Sequence, residues 1–175
     1  MITRNQTRAV RVGTLTIGGG APVVVQSMTN TNTANTEATL QQINTLALVG
    51  CELIRVAVPD EQAAASLPFL VAKSPIPIVA DIHFNYRLAL AAIDAGVAKI
   101  RINPGNLGGK DRLAAVVARA AEKEVSIRIG VNAGSLEKNI YEKYGGVTAE
   151  AMVESALGYI KMVEAMGFYD LVISL

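Results

Sequence analysis

The sequence predicts an α/β fold, namely a (β/α)8 TIM-type barrel that is incomplete in this chain and is preceded by a β-hairpin. Six short runs rich in Val and Ile alternate with longer segments of helical period, which is the pattern of repeated βα units. Polar residues and glycine-rich turns follow almost every run. Such loops at every strand end are typical of a barrel mouth, whereas an open doubly wound sheet concentrates its site at one switch point.

The hairpin is the first predicted element and spans residues 9–20, with its turn at Gly13 and with Leu15 and Ile17 alternating after it. We expect it to cover the bottom of the barrel. A closed barrel needs eight strands and only six are predicted, so we expect two βα units to be missing and the chain to be truncated inside its last strand. The six strands are expected at 23–26, 53–58, 76–80, 98–102, 127–131 and 171–175.

Helices are predicted between these strands. Asn35 or Thr36 begins the first helix and Gly50 ends it. Thr148 begins the last helix, which carries apolar residues at spacings of three and four and stops at Gly167. The remaining helices are expected at 61–72, 86–95 and 111–122, and the segment 132–146 is expected to be a long loop.

Composition excludes several classes of protein. With 175 residues, of which 51% are hydrophobic and 18% charged, the chain can bury one core and is expected to form a single domain, 1–175. A net charge of +1 gives no reason to expect binding to nucleic acid or to an anionic membrane. No apolar run approaches the roughly 20 residues of a membrane span and no secretory segment is present, so we expect a soluble, cytoplasmic protein.

Three of the nine arginines lie inside strand runs, and they are the most informative residues of the chain. Arg55, Arg101 and Arg128 alternate with Ile and Val neighbours, so each lies on the opposite strand face from those neighbours and is expected to point into the barrel. Buried guanidinium groups need a matching anion. That anion is either a ligand phosphate or a carboxylate of the protein, for which Asp81 is the only candidate among the strand ends.

Other candidate site residues lie at the carboxyl ends of the same strands. Asp81 and His83, the sole histidine, share a strand face and could contact substrate hydroxyls, transfer a proton or bind a metal, or His83 could be a satisfied core residue. Asn103 and Asn132 lie on the faces of Arg101 and Arg128, closer to the mouth. Their amides could bind hydroxyl and phosphate oxygens, or could cap the turns that follow.

Additional polar groups are expected at the same mouth. The glycine-rich segments 103–109 and 130–135 bring backbone N–H groups to a place where phosphates are commonly held, although glycines also simply permit tight turns. Four polar residues follow the first strand and two lysines lie in the long loop. They could contact a ligand, or they could cap turns and be solvated. These residues are Gln26, Ser27, Thr29, Asn30, Lys138 and Lys143.

Cys51 is the only cysteine, so this chain alone can form neither an internal disulfide nor a multi-cysteine metal site. It follows Gly50 at a predicted junction between a helix and a strand. We expect it to be a small apolar residue of the barrel wall.

Five segments taken together resemble a known family. VVVQSMTNTNT, ELIRVAVP, IVADIHFNYRLAL, KIRINPGNLG and IRIGVNAGSLEK are similar, in order and spacing, to the N-terminal barrel of the 4-hydroxy-3-methylbut-2-enyl diphosphate synthases of the non-mevalonate isoprenoid pathway. The resemblance implies an oxidoreductase that reductively opens 2-C-methyl-D-erythritol 2,4-cyclodiphosphate. It implies that Arg55, Arg101 and Arg128 contact the diphosphate, and that the substrate cavity is also lined by Asp81, His83, Asn103 and Asn132.

The resemblance also concerns parts that this chain is expected to lack. In the family, a four-iron four-sulfur (4Fe-4S) cluster is held by three cysteines and a glutamate of a separate C-terminal domain, and ferredoxin or flavodoxin supplies the electrons. The barrel of one subunit faces the cluster domain of the other in a homodimer. The resemblance therefore implies that this chain is a fragment that binds no metal and is inactive by itself.

Two other functions are compatible with the residues. A pterin-binding barrel transferase of the dihydropteroate synthase type also gathers Asp, Asn and Arg at its mouth and needs no redox centre. A non-catalytic fragment could instead act as a binding or assembly module, because an unclosed barrel exposes strand edges that pair with another chain.

Overall fold

The computed structural model describes residues 6–175, with all of their side chains except that of Ser135. The chain begins with the antiparallel hairpin of β1 (Val10–Val12) and β2 (Leu15–Ile17), in which Val12 pairs with Leu15. Gly13 has a φ of 59° in the turn between them, a conformation that glycine adopts without steric cost. The predicted hairpin and its turn are confirmed.

Six parallel strands follow and form one curled sheet in the order of the chain. Each pairs in parallel with the next, as expected when helical crossovers connect them. The strands are β3 (Gln26–Met28), β4 (Leu53–Ala57), β5 (Ile78–Ile82), β6 (Lys99–Ile102), β7 (Ser126–Gly130) and β8 (Leu171–Ser174). This architecture confirms the incomplete (β/α)8 barrel.

Helices cover the outside of the sheet. Four of them begin with a side chain that accepts a backbone N–H of the first turn: Asn35, Asp60, Asn85 and Thr148. These capping bonds explain why the helices start where the sequence predicts. The helices are α1 (Thr36–Leu48), α2 (Glu61–Lys73), α3 (Tyr86–Asp94), α4 (Lys110–Glu122), α5 (Lys138–Tyr144) and α6 (Ala149–Glu164). No helix of residues 6–175 is both long and apolar enough to cross a membrane.

Two predictions differ most from the structure, whereas the strand predicted at 76–80 is displaced by two residues, to Ile78–Ile82. The first parallel strand, predicted at 23–26, is β3 at Gln26–Met28, because the ladder with β4 starts only where Gln26 pairs with Leu53. The Val25 carbonyl accepts from the backbone N–H groups of Glu52 and Leu53, but the Val23 side chain is 72% exposed. The second error is the predicted loop at 132–146, which contains the seven-residue helix α5.

Strand register divides the sheet into two faces. The apolar neighbours of the arginines, such as Ile54 and Ile127, are fully buried against the helices. The opposite face lines the barrel, and we call it the interior face. Its lower part is closed by the hairpin, where Val10 and Val12 pack against Leu53 and Val79. The hairpin therefore covers the bottom of the barrel.

Candidate functional site

Register places the candidate side chains on neighbouring strands at matching heights of the interior face. Asp81 of β5 pairs with Arg101 of β6, which pairs with Arg128 of β7. Two residues closer to the bottom, Arg55 of β4 pairs with Val79 of β5, and Val79 pairs with Lys99 of β6. Parallel partners in register point to the same side of a sheet, so the structure brings the three predicted arginines and Asp81 together.

Asp81 is the centre of this arrangement and is 1% exposed. Its Oδ2 atom accepts from Nη2 of Arg55 at 2.5 Å, and its Oδ1 atom accepts from Nη1 of Arg101 at 3.4 Å. Nε2 of His83 lies 3.1 Å from Oδ2. Asp81 and His83, which the sequence places on one strand face, are therefore in contact, and the side chain of His83 is about half exposed at the mouth.

The guanidinium of Arg128 bonds to the neighbouring strand β8. Its Nε atom donates to Oγ of Ser174 at 2.9 Å, on the adjacent strand β8. Burial lowers the pKa of the Arg128 guanidinium, and the charges of Arg55 and Arg101 lower it further. The Nε–H of Arg55 is buried and has no hydrogen-bond partner among the described residues. Both arginines thus keep unmet capacity to stabilise an anion.

Lys99 is a site residue that the sequence reasoning missed. It is 1% exposed, stands two residues before Arg101 and lies on the same interior face. Burial, followed by the charge of Arg128, lowers its pKa to about 8. The signal was available in the sequence, because the alternation that places Arg101 inside the barrel places Lys99 there as well.

The charges of the interior face do not balance. Its described strand residues include three guanidiniums and one ammonium, and Asp81 is their only carboxylate. The internal ion pair that the sequence left open does exist, but it neutralises only part of the positive charge. Desolvating unpaired cations is costly, so the remainder favours a multiply charged anion at this place.

The two asparagines lie in different surroundings. Asn103 is 1% exposed, and its Oδ1 atom accepts from the backbone N–H of Gly105 at 3.2 Å, which starts the 3-10 turn Pro104–Asn106. The turn-capping alternative is therefore present for Asn103. Asn132 is exposed just beyond β7, at the start of the turn Ala133–Ser135. Both lie at the mouth, as predicted.

The loops after β6 and β7 both contact α6 on the outside of the barrel. Glu137 follows β7, and its Oε2 atom accepts from Oγ of Ser155 in α6 at 2.6 Å. Burial, and then the hydrogen bond to Glu137, raise the pKa of the Tyr159 hydroxyl. A methyl group added to Gly105 would lie 2.5 Å from that hydroxyl, so Tyr159 also packs against the loop after β6. These contacts fix the loops that carry Asn103 and Asn132.

Three of the remaining polar candidates, Lys138, Lys143 and Asn30, form contacts with helix residues. Nζ of Lys138 lies 3.7 Å from Glu142 within α5, and Nζ of Lys143 donates to Glu154 of α6 at 2.6 Å. The backbone N–H of Asn30 donates to Gln42 of α1 at 3.0 Å. The Oγ1 atom of Thr29 is buried without a hydrogen-bond partner among the described residues. The lysines therefore belong to the outer surface rather than to the interior face.

Cys51 lies in the wall of the barrel, as predicted. Its thiol is 6% exposed and donates to the Leu53 carbonyl at 3.2 Å. Over residues 6–175 there is no group of three His, Cys, Asp or Glu side chains placed to hold a metal ion. The described residues therefore do not fit an iron–sulfur cluster, which needs several thiolate ligands.

Comparison with known proteins assigns this arrangement to a family. Residues 7–175 match the GcpE TIM-barrel domain. The chain belongs to the GcpE TIM-barrel family. Among curated relatives, the GcpE barrel is 59% identical to the 4-hydroxy-3-methylbut-2-en-1-yl diphosphate synthase (flavodoxin) of Listeria monocytogenes serotype 4b, over 99% of this chain and 47% of the relative. It is 54% identical to the synthase of the same name from Natranaerobius thermophilus, over 100% of this chain and 49% of the relative. The chain thus spans about half the length of the curated relatives it matches.

Solved structures share the fold of this GcpE barrel at low sequence identity. Dihydropteroate synthase from Yersinia pestis matches with a TM-score of 0.66 at 14% identity, over 94% of this chain and 61% of that one. A truncated 3-deoxy-D-arabino-heptulosonate 7-phosphate synthase from Thermotoga maritima matches with a TM-score of 0.63 at 13% identity, over 96% and 56%. At such identities the likeness concerns the fold alone, so the pterin-type transferase is not favoured.

Proposed function

We propose that this barrel is the substrate-binding part of a flavodoxin-dependent 4-hydroxy-3-methylbut-2-en-1-yl diphosphate synthase. Its substrate would be 2-C-methyl-D-erythritol 2,4-cyclodiphosphate, with the diphosphate bound on the interior face by Arg55, Arg101 and Arg128. The observation that carries this proposal is the charge imbalance of that face, in a chain that shares 54% identity or more with synthases of this name.

The remaining residues have roles that follow from their positions. Asp81 orients two of the guanidiniums, so they are held in place before the ligand arrives and less conformational entropy is lost on binding. His83, exposed above Asp81, and Asn132, exposed beyond β7, would contact the hydroxyl-bearing carbon chain. Asn103 orders the loop between them through its turn. Reductive opening of the cyclic diphosphate then needs electrons from outside this barrel.

We infer that the 4Fe-4S cluster that supplies these electrons is held outside the described residues, in a C-terminal domain. The relatives are about twice as long as this chain, which leaves room for such a domain. The printed name of the relatives points to flavodoxin as the electron donor, in preference to ferredoxin. We further propose a cytoplasmic homodimer in which the cluster domain of a second subunit faces the barrel mouth, so the barrel alone would be inactive.

The proposal is tested by binding measurements on the full-length gene product. Arg101→Ala is expected to weaken binding of the cyclodiphosphate by at least tenfold in calorimetry, because it removes a charged hydrogen-bond donor. Iron content should stay unchanged. Arg119→Ala is the matched control, since Arg119 bonds to Asp94 and Glu122 on the outer helices. Equal affinity of Arg101→Ala and the wild-type protein would reject the diphosphate site.

The location of the cluster has its own test. Cys51→Ala in the full-length gene product is expected to retain the iron and sulfide content of the wild-type protein, because the Cys51 thiol bonds to the Val25 and Leu53 carbonyls of the barrel wall. Loss of the cluster in this variant would contradict the inference that other residues hold it.

A further inference from the structure

Gly130 is the last residue of β7 and lies on the interior face, where it pairs with Ser174 of β8. It is buried, and its φ does not lie in the left-handed region, so an alanine could adopt the same backbone. Its lack of a side chain therefore has no explanation in the local backbone. The explanation must come from what lies against it.

The guanidinium of Arg101 occupies the place of the missing side chain. A Cβ atom built on Gly130 would lie 2.6 Å from Nη2 and 2.8 Å from Cζ of Arg101, and closer still to Nε. These separations are well below van der Waals contact. The other edge of the same guanidinium reaches Asp81 on the opposite neighbouring strand, with Nη1 3.4 Å from Oδ1. Arg101 thus spans from β5 to β7, with Asp81 on one side and Gly130 on the other.

We propose that Gly130 is a positioning residue: its missing side chain allows the Arg101 guanidinium to lie flat over β7, in the orientation that binds the anion. The inference rests on the proposed diphosphate site. A methyl group there would meet the far end of a flexible side chain rather than backbone, so the strand would remain and the guanidinium would move. The effect of a substitution therefore falls on anion binding more than on folding.

Gly130→Ala in the full-length gene product is expected to weaken binding of the cyclodiphosphate and of inorganic pyrophosphate by about tenfold or more, since a misplaced guanidinium loses a charged hydrogen bond. Arg101→Ala should weaken binding at least as much, and adding Gly130→Ala to it should have no further effect. Additive losses in this double-mutant cycle would overturn the proposal. Gly158→Ala in α6 is the matched control, because a Cβ there meets no atom within 4 Å.

Three further measurements separate the possible failures. If the wild-type protein binds pyrophosphate but not the cyclodiphosphate, the proposed function fails, and the cycle with pyrophosphate still decides on Gly130. If it binds neither, a crystal structure of Gly130→Ala decides: a displaced Arg101 guanidinium supports the proposal, and an unmoved one overturns it. If Gly130→Ala unfolds the protein, adding Arg101→Ala should restore folding. A double variant that stays unfolded would overturn the proposal, because the methyl group would then clash with the strand and not with Arg101.

Discussion

Arg55 and Asp81 are joined across two neighbouring strands, with Nη2 of the arginine 2.5 Å from Oδ2 of the aspartate. The carboxylate is 1% exposed and also accepts from Arg101, so one buried negative charge orients two guanidiniums. This relationship links stability to binding. The Asp81 carboxylate offsets part of the cost of burying the two guanidiniums, and it also fixes the orientation in which they would bind a ligand.

Asp81→Asn should destabilise the protein by about 3 kcal/mol, because removing one partner of a buried ion pair leaves the other charges uncompensated. Urea unfolding of the full-length gene product measures this change. Saturating pyrophosphate should restore part of the loss by binding only the folded state. Asp94→Asn is the control, since Asp94 is about half exposed and its ion pair with Arg119 contributes little. Equal effects of the two substitutions would contradict a central role for Asp81.

Lys99 should make stability rise with pH between about 8 and 10.5. Its pKa is lowered from 10.5 to about 8 in the folded protein, so across this window the unfolded chain binds the extra proton. The free energy of unfolding therefore increases as pH rises from about 8 to 10.5, and Lys99 contributes on the order of 3 kcal/mol to this increase. Lys99→Met should abolish this rise and stabilise the protein at pH 7.

Urea unfolding at several pH values from 7 to 10 measures the Lys99 effect as the difference between variant and wild type. Lys73→Met is the matched control, because Lys73 is exposed at the end of α2. A wild-type curve that runs parallel to that of Lys99→Met over this range would show that Lys99 does not titrate there.

Tyr159→Phe should loosen the loop between β7 and α6, since it removes the hydroxyl that bonds to Glu137. A loss of about 1 kcal/mol is expected for one buried hydrogen bond. Hydrogen exchange of the amides of residues 138–146 should accelerate, while β4 and β5 stay protected. Tyr141→Phe, at a half-exposed position of α5, should leave both readouts unchanged. Unaltered exchange in Tyr159→Phe would refute the anchoring role.

Val12→Ala should destabilise the protein by about 2 kcal/mol, because a fully buried side chain is shortened and a cavity remains. Val12 packs with Leu53 and Val79 at the bottom of the barrel, far from the mouth. Affinity for pyrophosphate should therefore stay at the wild-type value. Val23→Ala, at an exposed position, should change neither quantity. A changed affinity in Val12→Ala would mean that the hairpin acts on the site as well as on the core.

Prediction of the elements succeeded where one local signal was strong. Capping residues such as Asn35 and Thr148 define helix starts within a few positions, and they do so through short-range hydrogen bonds. Prediction failed at β3, whose limits depend on the distant residues that pair with it, and at α5, a short helix with Ile140 as its one buried residue. An edge strand and a short helix take their limits from tertiary contacts rather than from propensity.

The sequence by itself determined which side chains enter the barrel, because a strand alternates its faces with a period of two residues. That rule placed Arg55, Arg101 and Arg128 inside and applies equally to Lys99. Only the tertiary structure decided that Asp81 is shared by two guanidiniums and that Gly130 makes room for one of them. These contacts join residues of different strands, so they depend on register and on side-chain conformations that no local pattern encodes.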